Sequence, residues 1–107
     1  MKHILFICGA NKLRSPTAEQ VFSRYPNIET DSAGLNSDAD QRVSSEQIEW
    51  ADIVFVMEKS MRIKLAKQFR KYLNGKRVIV LDIPDKYTLM QPELVRLLER
   101  KVGPLLK

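Results

Sequence analysis

The chain has one cysteine, Cys8, and one histidine, His3, in its 107 residues. A single thiol excludes a disulfide framework, a thiol relay and a multi-thiolate metal site. The single imidazole argues further against a metal centre, so neither a metal nor a cofactor is expected. Glycine and proline are few, at four and five, and no internal repeat, low-complexity tract or interdomain linker interrupts the chain. No apolar run approaches the length of a membrane span, and Met1-Lys2-His3 leads straight into a short strand-like run without a signal pattern. These absences point to a cytoplasmic protein without membrane association. Acids are outnumbered, 13 against 18 basic residues, and the formal net charge of +5 favours anionic partners, whether phosphorylated substrates or nucleic acid.

What is present is an ordinary globular composition, 44% hydrophobic, enough for one core and too little for two. One domain over residues 1–107 is expected. Apolar, β-branched segments at 4–7, 28–33, 53–57 and 78–82 have the character of buried parallel strands. Helical patterns lie between them. The first begins at Ser15-Pro16 and runs to about Arg24, before Pro26. The second covers 45–50, with Ser44 or Ser45 as N-cap and Glu46 and Gln47 in its first turn. A third starts near Lys59 or Ser60, carries Met61, Leu65, Phe69 and Tyr72 or Leu73 on one face, and stops at Asn74-Gly75. The fourth opens at Gln91-Pro92-Glu93, carries Leu94, Leu97 and Leu98, and is disturbed at Gly103-Pro104. Strict alternation predicts an α/β fold: a three-layer sandwich on a four-stranded parallel sheet, strand order 2-1-3-4, with right-handed crossovers in a flavodoxin-like topology. Ligands of such sheets bind beyond the carboxyl ends of the strands, where Cys8 sits. The polar stretch 36–41 reads as a surface loop.

The chemistry concentrates in Cys8-Gly9-Ala10-Asn11-Lys12-Leu13-Arg14-Ser15-Pro16, which runs from strand through loop to helix. A lone cysteine beside a strand is usually a small core residue. An arginine six residues on, with a loop of inward-facing amides between, changes that reading, because both can face one bound oxyanion. The thiolate is the nucleophile, and the amides from Gly9 to Arg14, the positive end of the following helix and the Arg14 guanidinium all favour negative charge on the sulfur. The same donors, from Gly9, Ala10, Asn11, Lys12, Leu13, Arg14 and Ser15, would hold the oxygens of a phosphoryl group, Arg14 with two parallel hydrogen bonds. Ser15 can donate to the sulfur as it leaves. Asn11 suits a left-handed turn and can brace the loop through Ser32.

Cys-x-x-Asn-x-x-Arg-Ser-Pro-x-Ala-Glu resembles the phosphate loop of the low-molecular-weight protein tyrosine phosphatases. Thr30-Asp31-Ser32-Ala33-Gly34 and Trp50-Ala51-Asp52-Ile53-Val54-Phe55-Val56-Met57 resemble the family's later segments in order. The resemblance implies that family's fold and its metal-free, two-step hydrolysis of phosphomonoesters through a phosphocysteine, with a phosphorylated protein or small phosphomonoester as substrate. Such hydrolysis needs an acid that later acts as base. Asp82 and Asp85 both follow the fourth strand. Ile83-Pro84-Asp85-Lys86-Tyr87 resembles the family's acid loop, with a tyrosine two positions after the aspartate. The resemblance therefore implies Asp85 as the acid, Tyr87 beside the aromatic leaving group, and Asp82 as the alternative or as a strand cap; read from the residues alone, Tyr87 can equally pack on the last helix. The chain departs from the family at Ala10 in place of a glycine, at Leu13 in place of a second cysteine, at Lys86 in place of a proline, and by shortening between Gly34 and Ser44.

Two other functions fit the same residues. The loop could bind phosphate without turnover, or the basic run from Lys59 to Arg77 could bind nucleic acid. The stripe Met61, Leu65 and Phe69 accounts for the other face of that helix, and no exposed aromatics interleave its cations. A solvated face is the simpler reading, and nucleic acid is not the expected partner.

Overall fold

In the computed structural model, which describes residues 1–106, strand and helix alternate as β1 (Lys2–Cys8), α1 (Arg14–Phe22), β2 (Ile28–Gly34), α2 (Ser45–Trp50), β3 (Ile53–Val56), α3 (Lys59–Leu73), β4 (Arg77–Val80) and α4 (Pro92–Val102). A 3-10 turn, Gly103–Leu106, follows. The four strands pair in parallel in the order β2-β1-β3-β4. Helices α1 and α4 share one face of the sheet, and α2 and α3 share the other.

β1 is central and apolar because it is covered twice. Ile4, Phe6 and Cys8 face the layer of α1 and α4, whereas Leu5 and Ile7 face α2 and α3, the two-residue period of a strand. Phe6 stacks against Phe22 of α1 and Phe55 of β3, with ring centroids 5.7 and 5.4 Å apart. From β1 the chain turns to β2 on one side and later to β3 on the other, so the crevice of the fold opens at the carboxyl end of β1. Cys8 is the last residue of that strand.

The element ends follow local chemistry. α2 carries a capping box: the Ser44 side chain accepts from the Gln47 N–H, and the Gln47 side chain accepts from the Ser44 N–H. Gly75 takes a φ of 79° after α3, and Pro92 occupies the first turn of α4. α1 starts one residue earlier than expected, at Arg14, and ends at Phe22. The expected strand 78–82 is observed as Arg77–Val80, because Asp82 adopts a φ of 54° and turns the chain away from the sheet. Among the described residues, no helix is long and apolar enough to cross a membrane.

Candidate active site

The loop between β1 and α1 wraps round the Cys8 sulfur. Asn11 turns it, at a φ of 56°, which lets its own N–H point back at the Cys8 Sγ from 3.2 Å. Ala10, at the position of the missing glycine, keeps out of the left-handed region and needs no such freedom. The Ser15 Oγ lies 2.9 Å from the sulfur. Both hydrogens of the Asn11 side-chain amide are spent, one on the Ser15 Oγ and one on the Ser32 Oγ, each at 3.0 Å. Ser32 in turn donates to the Glu19 carboxylate. The relay has one direction: Asn11 occupies an acceptor site of Ser15, which leaves the Ser15 hydroxyl hydrogen free to point at an ionised sulfur. The expected brace through Ser32 is present, and Glu19 extends it.

Arg14 is buried at the first residue of α1, 5% exposed. Its Nη1 donates to the Glu58 Oε1 at 2.5 Å and to the Ile83 carbonyl at 2.8 Å. These contacts fix one corner of the guanidinium and leave the Nε edge towards the Asp85 Oδ1, 3.7 Å away. Cys8, Ala10, Lys12, Leu13, Arg14 and Asp85 line one cavity of about 230 Å³. The arginine therefore faces the same space as the sulfur.

The acid loop is set by its anchors. Ile83 is buried, its N–H bonds to the Met57 carbonyl and its carbonyl accepts from Arg14, so Asp85 two residues later falls at the cavity rim. Asp82 is exposed and does not line the cavity. Tyr87 does not line it either: its ring packs against the core beside α4, under the Lys86 ammonium, 5.6 Å from the ring centre. With Ile83 pulled inward by Arg14 and Met57, the following tyrosine covers the core.

Two contributors were not visible in the sequence. Glu58 ends the β3 connection and holds Arg14. The segment 36–41, expected as a plain surface loop, supports the cradle: the Leu35, Asn36 and Asp40 N–H groups bond to the carbonyls of Cys8, Gly9 and Ala10 at 3.0, 2.9 and 3.1 Å. Asp40 also accepts from the Lys12 Nζ at 2.7 Å, and this bond and its charge hold the lysine above the ordinary value of 10.5. A carboxylate just past a parallel strand, near an arginine-bearing loop, was the one available signal for Glu58.

A strand-loop-helix cradle with cysteine and arginine turned into one cavity, at the switch point of a parallel sheet, is suited to holding an oxyanion. Residues 3–51 match the family model described as low molecular weight phosphotyrosine protein phosphatase. The matched segment carries the loop, and over its described length the chain has the fold of the similar solved structures. Similar solved structures include the YwlE arginine phosphatase from Geobacillus stearothermophilus, with TM-score 0.78, 22% identity, and cover of 99% of this chain and 94% of that one. Vibrio vulnificus Wzb in complex with benzylphosphonate aligns with TM-score 0.80 and 22% identity, over 97% of this chain and 96% of that one. The low molecular weight protein tyrosine phosphatase SP-PTP from Streptococcus pyogenes reaches TM-score 0.81 at 15% identity, over 99% and 91%. No curated protein sequence matches the chain.

Proposed function

We propose that the chain hydrolyses phosphomonoesters, with phosphotyrosine in proteins as the first choice of substrate, in the cytoplasm. One observation carries the reading: a sulfur that accepts from the Asn11 N–H and can accept from the Ser15 hydroxyl shares a cavity with Arg14 and Asp85.

In the first step the Cys8 thiolate attacks phosphorus, and the bond from phosphorus to the leaving oxygen breaks. The protonated Asp85 carboxyl gives its proton to that oxygen. Charge spread over the equatorial oxygens meets the loop amides from Gly9 to Ser15 and the free edge of Arg14, which Glu58 and the Ile83 carbonyl have already oriented. In the second step the Asp85 carboxylate takes a proton from water, the water oxygen attacks phosphorus, and the phosphorus–sulfur bond breaks. Ser15 then stabilises the departing thiolate.

A cradle that binds phosphate without turnover is the competing reading, because it needs the same loop but no working Asp85.

Steady-state rates on p-nitrophenyl phosphate, phosphotyrosine, phosphoserine and phosphoarginine test this. Wild type turns over the aryl esters fastest, Cys8→Ser abolishes turnover, and Asp85→Asn lowers kcat on phosphotyrosine by about 10²–10⁴. Tight phosphate binding without turnover in wild type would establish the binding module instead. Equal wild-type and Asp85→Asn rates would remove Asp85 from its role.

A further inference from the structure

The positive charge of the molecule is concentrated on one helix. α3 holds six cations, Lys59, Arg62, Lys64, Lys67, Arg70 and Lys71, and no acid, which leaves 12 basic and 13 acidic residues in the rest of the chain. Away from α3 the protein is therefore close to neutral. None of the six forms an ion pair among the described residues, and all six are exposed. Leu65 is the only fully buried residue of α3, while Met61, Phe69, Tyr72 and Leu73 lean on the sheet, so the cations occupy the outward side.

The helix is also aimed. Glu58, its N-cap residue, bonds to Arg14 of the cradle. A track of positive charge thus begins at the phosphate site and runs along fifteen residues, at most about 22 Å, because non-helical backbone at Phe69 (φ −129°, ψ 30°) kinks the helix before Arg70 and Lys71. We propose that α3 is a docking track for an acidic stretch of the phosphoprotein substrate, lying within about seven residues of the phosphorylated side chain in the extended substrate chain.

This deepens the proposed function and rests on the cradle holding the phosphoryl group. Phe69 and Tyr72 pack inward, so the face has no platform for stacking bases. Ile63, 53% exposed, is the lone large apolar side chain on that face and falls short of a membrane-inserting stripe. Continuity with a one-phosphate cradle fits a phosphorylated acidic segment better than either.

The test measures fluorescence anisotropy with two peptides that carry a phosphonate analogue of phosphotyrosine, flanked by about six glutamates or by serine and glycine. At low salt the acidic peptide should bind wild type about tenfold more tightly, and added salt should erase the difference. Lys67→Glu/Arg70→Glu/Lys71→Glu should abolish the preference and leave kcat/KM on p-nitrophenyl phosphate unchanged. The milder Lys67→Gln/Arg70→Gln/Lys71→Gln variant should give an intermediate preference. Equal affinity for the two peptides, or a preference that survives charge reversal, overturns the proposal. So does tighter binding to single-stranded RNA or to phosphatidylserine vesicles than to the acidic peptide, which would assign the helix to nucleic acid or to a lipid surface. An acidic preference that persists while p-nitrophenyl phosphate is not hydrolysed would keep the docking track and remove the hydrolysis.

Discussion

Two residues of the loop carry separable duties. Asn11 supplies both a left-handed backbone and two side-chain hydrogen bonds, to Ser15 and Ser32. Glycine keeps the first and removes the second, whereas alanine removes both. Asn11→Gly should therefore lower turnover by about tenfold, the value of one well-placed hydrogen bond in the transition state, with little strain. Asn11→Ala should lose the same and unfold about 1–2 kcal/mol more easily than the glycine variant. Chemical denaturation beside kcat separates the two, and equal stabilities would show that the φ of 56° is not held by the loop. Lys12 has a different duty at the rim. Asp40 raises it above 10.5, so the lysine side of the ion pair favours the folded cradle throughout the neutral range and is lost as pH climbs through the raised value. Asp40→Asn should bring the Lys12 side-chain titration, followed by NMR, back down to that of an ordinary lysine. An unchanged midpoint would mean that the pair does not form in solution.

At the scale of elements, the end of β2 is pressed against the phosphate loop. A Cβ on Gly34 would lie 2.5 Å from the Gly9 carbonyl oxygen, 2.6 Å from the Ala39 Cβ and 3.0 Å from the Asn11 N. Gly34→Ala must therefore push β2 and the cradle apart. It should cost about 1–3 kcal/mol and raise KM for aryl phosphates, because the displaced atoms belong to the loop. Gly75→Ala provides the contrast: its Cβ meets nothing within 4 Å, so only the positive φ is strained, and KM should not move. If both variants left KM alone, the contact between β2 and the loop would not shape the site. The two glycines also mark what a sequence reveals. Gly75 was legible as a helix stop, and the span of α2 was legible from the serines and Gln47 at its start, with the cap left open between Ser44 and Ser45, because both signals act within one turn of chain. The alternation of strand and helix and the loop holding Cys8, Arg14 and Ser15 were legible for the same reason, whereas the strand order followed from the fold class and not from any local pattern. Glu58 reaches Arg14 across 44 residues and Asp40 reaches Lys12 across 28. No local pattern reports such pairs. The sequence left two places open for Tyr87 because its direction depends on how Ile83 is anchored, a matter of tertiary hydrogen bonds.

For the molecule as a whole, the sheet has to hold Cys8 at its rim while both of its faces are covered, and Phe6 is where the two demands meet. It is fully buried two residues before the nucleophile, on the same side of β1, between the rings of Phe22 and Phe55. Removing its ring deletes contacts to α1 and β3 together, at a cost of about 3–5 kcal/mol. A domain of this size is stable by only about 5–15 kcal/mol, so Phe6→Ala should lower Tm by roughly 12–25 °C. The exposed Ile63→Ala should change stability by no more than about 0.5 kcal/mol. The cradle has its own supports in the segment 36–41 and Glu58, which hydrogen-bond to the loop and to Arg14. At a temperature where Phe6→Ala is still folded, its kcat on p-nitrophenyl phosphate should therefore stay within about twofold of wild type, while thermal inactivation is faster. A normal Tm with a collapsed kcat would show the opposite dependence: the core ring would position the sulfur, and the loop's hydrogen bonds would be too weak to hold the site by themselves.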